Sequence, residues 1–131
     1  IRGHIREKDG VLMGLLGAAI ASEDPFDARV DRLLEEHGDI VADKVSVDCP
    51  DSEKERVLSD LESELPETVA GQGIAKVVTL DGFKLLLDDG SWLLVRPSGT
   101  EPVLRVYAEA GSHERIEKLL EAGRDLVEPL V

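Results

Sequence analysis

Apolar residues recur along this chain with two different periods, one typical of helices and one typical of strands. Helical spacing of apolar side chains covers four segments, near residues 11–20, 26–38, 57–65 and 116–127. Two-residue alternation or short apolar runs cover residues 45–49, 73–80, 83–87, 92–95 and 103–110. This order predicts a helix pair followed by β-α-β-β-β-β-α. The sequence therefore predicts an α+β fold with helices packed on one antiparallel sheet.

Capping residues set the predicted starts of the helices. We expect Asp24 to be the N-cap of the second helix, with Pro25 in its first turn. Ser52 and Glu55 have the spacing of a capping box ahead of the third helix. Ser112 precedes the last apolar helical segment, and we expect its hydroxyl to cap that helix.

Two Asp-Gly clusters separate the strands of the second half. Asp81-Gly82 and Asp88-Asp89-Gly90 lie between apolar runs, which is a strong signal for hairpin turns. Aspartates can also bind metal ions, but this position favours turns. His4, His37 and His113 are scattered without metal-ligand spacing. The sequence thus predicts no metal site in this chain.

Composition is that of one small folded domain. With 131 residues and 42% hydrophobic content, the chain has enough apolar material for one core. It contains no run of about twenty apolar residues and no signal-peptide pattern, so we expect neither a membrane span nor a membrane partner. The single cysteine, Cys49, has no internal disulfide partner. We expect it to be a buried apolar residue in a cytoplasmic protein.

The chain is strongly acidic. Fifteen Lys and Arg residues stand against 28 Asp and Glu residues, which gives a formal net charge of −13. A spread negative charge argues against a nucleic-acid partner. An acidic surface with few lysines is typical of proteins from a salt-rich cytoplasm. An acidic protein from an ordinary cytoplasm has the same composition, and both readings stay open.

The segment Arg96-Pro97-Ser98-Gly99-Thr100-Glu101-Pro102, between two predicted strands, concentrates donors suited to an anion. A guanidinium can bind two phosphate oxygens through its planar fork. Two hydroxyls offer further donors, and a glycine lets backbone amides approach an anion closely. This composition predicts a phosphate-binding loop.

The same segment resembles the phosphate-binding loop of the α-D-phosphohexomutases, the phosphoglucomutase and phosphomannomutase superfamily. It runs into Val103-Leu104-Arg105-Val106-Tyr107-Ala108-Glu109-Ala110, as the family's last domain does after its loop. Near the start, Gly3-His4-Ile5-Arg6-Glu7-Lys8-Asp9-Gly10 is similar to the segment that follows the family's sugar-recognition loop. The two matches occur in the family's order and together cover essentially the whole chain.

The resemblance implies a TATA-box-binding-protein-like C-terminal domain and a set of site residues. Arg96, Ser98, Gly99 and Thr100 would bind the phosphate of a hexose phosphate, and Arg105 either joins them or pairs with Glu101. Lys8 would lie near the transferred phosphoryl group as a catalytic residue and proton shuttle. Alternatively, Lys8 is a solvent-exposed residue at the start of a helix with no catalytic role.

The family's remaining chemistry is absent from this sequence. Members carry a phosphorylated serine, a loop of three aspartates for Mg²⁺ and a sugar loop, and none of these motifs occurs here. The resemblance implies intramolecular phosphoryl transfer through a hexose 1,6-bisphosphate, with Mg²⁺ bound in the missing N-terminal mutase domains. We therefore expect this chain to be inactive alone.

The predicted domain organisation follows from the resemblance. Residues 1–24 would be the tail of the preceding domain, residues 25–38 a connecting helix, and residues 39–131 the C-terminal domain. The parent enzyme would be a phosphoglucomutase or phosphomannomutase, and a phosphoglucosamine mutase is the main alternative. A free-standing sugar-phosphate-binding module is a further alternative of a different class.

The net charge predicts a salt dependence of stability. Mutual repulsion of the excess negative charges weakens as ions screen it, because the Debye length falls to about 3 Å at 1 M salt. A salt-adapted protein should therefore show a melting temperature that rises steeply with potassium chloride up to molar concentrations. Thermal unfolding followed by circular dichroism measures this. A midpoint that is flat between low and molar salt would contradict salt adaptation.

Overall fold

The computed structural model describes residues 9–131, which divide into two compact units between Gly38 and Asp39. The first unit holds α1 (Gly10–Glu23) and α2 (Phe26–His37). The second unit holds β1 (Val41–Asp48), α3 (Lys54–Ser63), β2 (Thr68–Val69), β3 (Gln72–Val78), β4 (Phe83–Leu87), β5 (Trp92–Pro97), β6 (Val103–Ala110), α4 (His113–Val127) and a 3₁₀ turn (Glu128–Leu130). Among these residues, no helix is both long and apolar enough to cross a bilayer.

The predicted fold class is confirmed, and β2 and the terminal 3₁₀ turn are additions to the predicted element order. Assignment of residues 1–24 to a preceding domain and of 25–38 to a connection stays a prediction. The strands form one sheet in the order β1-β6-β5-β4-β3-β2, and each neighbouring pair is antiparallel. As a result, β6 lies between β1 and β5, and the β5–β6 loop opens at one end of the sheet.

One face of the sheet carries the core. Alternate side chains on the strands are buried there, together with apolar residues of α3 and α4; the most deeply buried include Val57, Leu61, Leu85, Leu93, Leu104, Val106 and Leu119. Cys49, which follows β1, belongs to the same cluster, as predicted. Burial raises the pKa of its thiol. The residues between these positions point to the opposite face, which lacks a covering helix in this unit.

Two of the predicted helix caps are wrong, and one is confirmed. Pro25, rather than Asp24, occupies the N-cap position of α2, and no side chain caps this helix. The Asp24 carboxylate instead forms an ion pair with Arg32. In contrast, the Ser112 hydroxyl accepts a hydrogen bond from the backbone amide of Arg115, as predicted for the N-cap of α4.

The predicted capping box of α3 is also absent. The helix begins at Lys54, with Glu53 in the N-cap position and no side-chain cap. A turn precedes it, in which the Glu53 amide donates to the Pro50 carbonyl. This turn shifts the helix start by one residue beyond Ser52, so the box spacing with Glu55 is lost.

The unpredicted β2–β3 hairpin turns at Ala70-Gly71, where both residues have positive φ, 48° and 79°. Alanine disfavours that conformation, so Ala70-Gly71 is not recognisable as a hairpin turn from the sequence. Arg115 donates to the Ala70 carbonyl (2.6 Å) and pairs with Asp89 (2.9 Å). Burial opposes ionisation of Asp89, but hydrogen bonds from Ser91 and the charge of Arg115 outweigh it and lower its pKa.

Gly123 is the point of closest approach between α4 and the sheet. A Cβ at this position would lie 2.5 Å from Val106 Cγ1 and 2.8 Å from Leu93 Cδ1. Both neighbours are fully buried core residues, so neither has free space to move into. The absence of a side chain at residue 123 thus sets the distance between helix and sheet.

We expect Gly123→Ala to destabilise the second unit by about 1–3 kcal/mol because of this overpacking. Helix propensity alone predicts the opposite, a gain of about 1 kcal/mol. Gly14→Ala, in the exposed part of α1 where a Cβ meets nothing within 4 Å, is the matched control and should increase helicity. Urea unfolding and far-ultraviolet circular dichroism measure both effects. A more stable Gly123→Ala variant would show that the space between α4 and the sheet can accommodate a methyl group at residue 123.

Candidate functional site

A hollow of about 120 Å³ opens around the loop between β5 and β6. Its lining consists of Arg96, Pro97, Ser98, Gly99, Thr100, Arg105 and Tyr107. All five residues predicted to bind phosphate are in this list, so the fold brings together the complete predicted set. Their role in binding stays a prediction.

Two arginines face each other across the hollow. Arg96 on β5 is the direct cross-strand partner of Arg105 on β6, and both point to the open face of the sheet. Like charges directly opposite each other destabilise a sheet. Arg105 pairs with Glu101, while the Arg96 side chain remains 50% exposed. Such an arrangement favours an anion between the two guanidinium groups.

Arg105 satisfies the contacts expected of both alternatives, while its role in binding stays a prediction. It forms an ion pair with Glu101, and it also lines the hollow. Hydrogen bonds with Tyr107 and Glu101 raise the pKa of its guanidinium, so Arg105 stays charged. Glu101 therefore holds Arg105 in place without removing it from the hollow.

Backbone hydrogen bonds hold the loop in a defined shape. The Ser98 amide donates to the Val103 carbonyl (3.0 Å), and the Val103 amide donates to Glu101 (2.8 Å). Pro102 accepts a bond from the Cys49 amide (2.8 Å). The Ser98 amide is consequently occupied and is unavailable to a ligand.

Other donors of the loop remain unused. Within residues 9–131, no hydrogen bond involves the backbone amides of Gly99 and Thr100 or the hydroxyls of Ser98 and Thr100. Gly99 has a φ outside the left-handed region, and an added Cβ would meet nothing within 4 Å. The loop conformation thus does not itself require a glycine here. Its open space is suited to a ligand that approaches the backbone.

A buried lysine beneath the loop was missed by sequence reasoning. The Lys54 side chain is only 9% exposed, and its ammonium donates to the carbonyls of Ser98 and Glu101, both at 2.7 Å. It also contacts Asp51 at 2.5 Å. A signal was present in the sequence, because Lys54 occupies the first position of the apolar i, i+3, i+7 series continued by Val57 and Leu61.

The β3–β4 turn approaches the site from the side. Gly82 has a φ of 111°, and an added Cβ would lie 2.5 Å from the Val95 carbonyl oxygen and 3.1 Å from the Arg96 Cβ. A glycine is therefore required for this close approach. It places Asp81 Oδ1 at 3.6 Å from Arg96 Nε.

Polar groups around a second hollow of this unit are paired with one another. A separate hollow of about 220 Å³ includes Asp89, Glu109 and Arg115 in its lining. There, Asp89 pairs with Arg115, and Glu109 accepts a bond from the Trp92 indole. These contacts indicate a structural cluster, in contrast to the unused donors around residues 98–100.

Two further expectations concern catalysis and metal binding. Lys8 lies outside the described residues, so its predicted catalytic role stays a prediction. Among residues 9–131, no group of three or more His, Cys, Asp and Glu side chains could hold a metal ion. The described residues therefore do not fit a magnesium site, and we assign no metal-dependent step to them.

Comparison with known proteins agrees with this geometry. The family described as phosphoglucomutase/phosphomannomutase, C-terminal domain, matches residues 44–126. A phosphopentomutase of Thermococcus kodakarensis is 37% identical over 121 residues, which are 92% of this chain and 26% of that protein. A probable phosphoglucosamine mutase of Methanothermobacter thermautotrophicus is 36% identical over 129 residues, or 94% of this chain and 26% of that protein.

A solved structure shares the fold. A phosphoglucomutase/phosphomannomutase family protein from Burkholderia thailandensis superposes with a TM-score of 0.53 at 21% sequence identity, covering 76% of this chain and 19% of that one. The chain spans about a quarter of the length of the curated relatives described above. On the family match, this chain belongs to the phosphoglucomutase/phosphomannomutase family and contains its C-terminal domain.

Proposed function

We propose that this chain is the C-terminal part of a sugar-phosphate mutase, and that its hollow binds the phosphate that is not reacting. The observation that carries this proposal is the pair of opposed arginines, Arg96 and Arg105, beside unused amide and hydroxyl donors. A dianionic phosphate would neutralise both guanidinium groups and accept bonds from Ser98 and Thr100. No side chain of the lining is acidic.

Binding of the phosphate at the non-reacting end of the sugar would assist the reaction. In an intramolecular transfer through a hexose 1,6-bisphosphate, each phosphate is in turn the reacting one and the remote one. Binding energy at the remote phosphate orients the sugar and can drive closure of a mobile domain. The hollow would act on either phosphate because its donors recognise only the phosphate group.

The sugar is recognised elsewhere in this proposal. The relatives are called phosphopentomutase and phosphoglucosamine mutase. These names refer to different sugars, but both include a phosphate group. A phosphoglucosamine mutase is therefore as well supported as a phosphoglucomutase or phosphomannomutase. Magnesium would be held by parts of the full-length enzyme other than residues 9–131, and Lys8 would move the proton of the sugar hydroxyl.

The exposed apolar surface of α1 supports a longer protein. This helix buries none of its residues, and Val11 and Leu15 are 77% and 65% exposed. Isolated apolar side chains are common on protein surfaces. A helix that is apolar on all sides, in contrast, is usually covered by other parts of the protein. We propose that other mutase domains of the same polypeptide cover it.

The Asp81 carboxylate would compete with the ligand for Arg96. Both side chains are exposed, so their ion pair contributes on the order of 0.2–1 kcal/mol. Asp81→Asn should then strengthen binding of inorganic phosphate by about 1.4- to 5-fold. Asp43→Asn, which removes the same charge from an exposed position on β1, is the control and should have a smaller effect. NMR titrations with inorganic phosphate at constant ionic strength measure the affinities of both variants. Equal effects of the two substitutions would show that Asp81 acts only through the net charge of the protein.

Arg96 itself is the main test of the proposed function. Charge-assisted hydrogen bonds are worth roughly 1.5–3 kcal/mol, so Arg96→Ala in the full-length enzyme should weaken substrate binding at least about tenfold. Arg96→Lys should recover only part of this loss, because an ammonium lacks the bidentate fork. Binding and kinetics are measured on the purified variants, with thermal unfolding in parallel.

Stability separates a binding role from a structural one. Arg96 is half exposed, so its truncation should barely change the melting temperature. The matched control is Arg124→Ala, which removes an exposed arginine from α4 and should leave substrate binding unchanged. If Arg96→Ala unfolds the domain while the surviving enzyme binds normally, the arginine is structural and the phosphate assignment is wrong.

A further inference from the structure

The buried ammonium of Lys54 contacts two carbonyl groups of the loop between β5 and β6. It donates to the carbonyl oxygens of Ser98 and Glu101, which lie on either side of Gly99 and Thr100. Lys54 is not part of the lining of the hollow. Its three N–H donors are matched by three acceptors, two carbonyls and the Asp51 carboxylate.

These two contacts fix the direction of the loop's peptide groups. A trans peptide holds its C=O and its N–H on opposite sides. Because the Ser98 carbonyl points to Lys54, the Gly99 amide of the same peptide group points away from Lys54. Glu101 precedes Pro102, which has no N–H to orient. Both carbonyl dipoles, whose negative ends would repel an anion, thereby point toward the Lys54 ammonium.

The same contact polarises the Gly99 amide. A carbonyl that accepts a charge-assisted hydrogen bond withdraws electrons from its own peptide nitrogen, which makes the N–H a stronger donor. The charge of Lys54 is largely balanced by Asp51 at 2.5 Å. Its effect on a ligand is therefore one of orientation and polarisation more than of direct charge attraction.

We propose that Lys54 is a positioning residue for phosphate recognition, acting through the Ser98–Gly99 peptide group. This inference rests on the proposed function of the hollow and adds to it a residue 44 positions away in sequence from its partner Ser98. The ligand class is a phosphate monoester or inorganic phosphate, bound in part by the Gly99 amide. Lys54 touches no substrate atom.

The test uses the isotope-labelled 131-residue chain and inorganic phosphate, with chloride at equal ionic strength as the blank. Lys54→Met should weaken phosphate binding at least about fivefold and move the Gly99 amide nitrogen resonance upfield in the free protein. Lys54→Arg keeps the charge, but one guanidinium nitrogen cannot reach all three acceptors, so we expect a loss of about two- to threefold.

Two control variants isolate the carbonyl contacts. Lys118→Met removes the same charge from an exposed position on α4, where Lys118 pairs with Glu114, and should bind as the wild type does. Asp51→Asn leaves both carbonyl contacts of Lys54 in place and should change the affinity less than twofold. Dispersion of the amide spectrum shows in each case that the variant is folded.

The outcomes separate the two proposals. If the wild-type chain shows no saturable response to phosphate, the proposed function of the hollow fails, and the role of Lys54 fails with it. If the wild type binds but both Lys54 variants bind equally tightly, only the positioning role is wrong. If Lys54→Met is unfolded, the test rests on Lys54→Arg. The proposal is then overturned if Lys54→Arg has the Gly99 amide resonance and the phosphate affinity of the wild type.

Discussion

Burial of one sheet face against α4 is the constraint on which the second unit depends. The helix can lie close to β5 and β6 because residue 123 lacks a side chain, and this contact assigns alternate strand residues to the core. Since the strand period is two, the residues between them must face the other way. Arg96 and Arg105 are on the open face for this reason, with Val95 and Val106 beneath them in the core.

The loop between these strands separates its donors from its acceptors. Its carbonyls at Ser98 and Glu101 are bound from behind by Lys54, while its unused amides and hydroxyls lie around the hollow. A preorganised loop of this kind loses little conformational entropy when a ligand binds. An acidic protein repels anions at long range, so the proposed phosphate binding would depend on such local order.

Sequence reasoning succeeded where the determinants are local and failed where they are distant. Alternation and Asp-Gly turns defined β4 and β6 to the residue, and all five residues predicted to bind phosphate are among the seven that line the hollow. The β2–β3 turn was missed because Ala70 is bound by Arg115, 45 residues away in sequence. Lys54 was missed for the same reason, since its carbonyl acceptors follow four intervening strands in the chain. The cap assignments of α2 and α3 were wrong: Asp24 forms an ion pair with Arg32, and a turn before α3 shifts its start.

The open face of the sheet carries the chain's single tryptophan. Trp92 donates its indole N–H to Glu109 at 2.9 Å, and the Lys84 ammonium lies 3.7 Å from its ring centroid. Tyr107 borders both the phosphate hollow and a neighbouring hollow that Trp92 lines. All tryptophan fluorescence of this chain therefore arises from one indole on the same sheet face as the site, with a cation over its ring and a carboxylate at its edge. The protein contains its own optical reporter for events on that face.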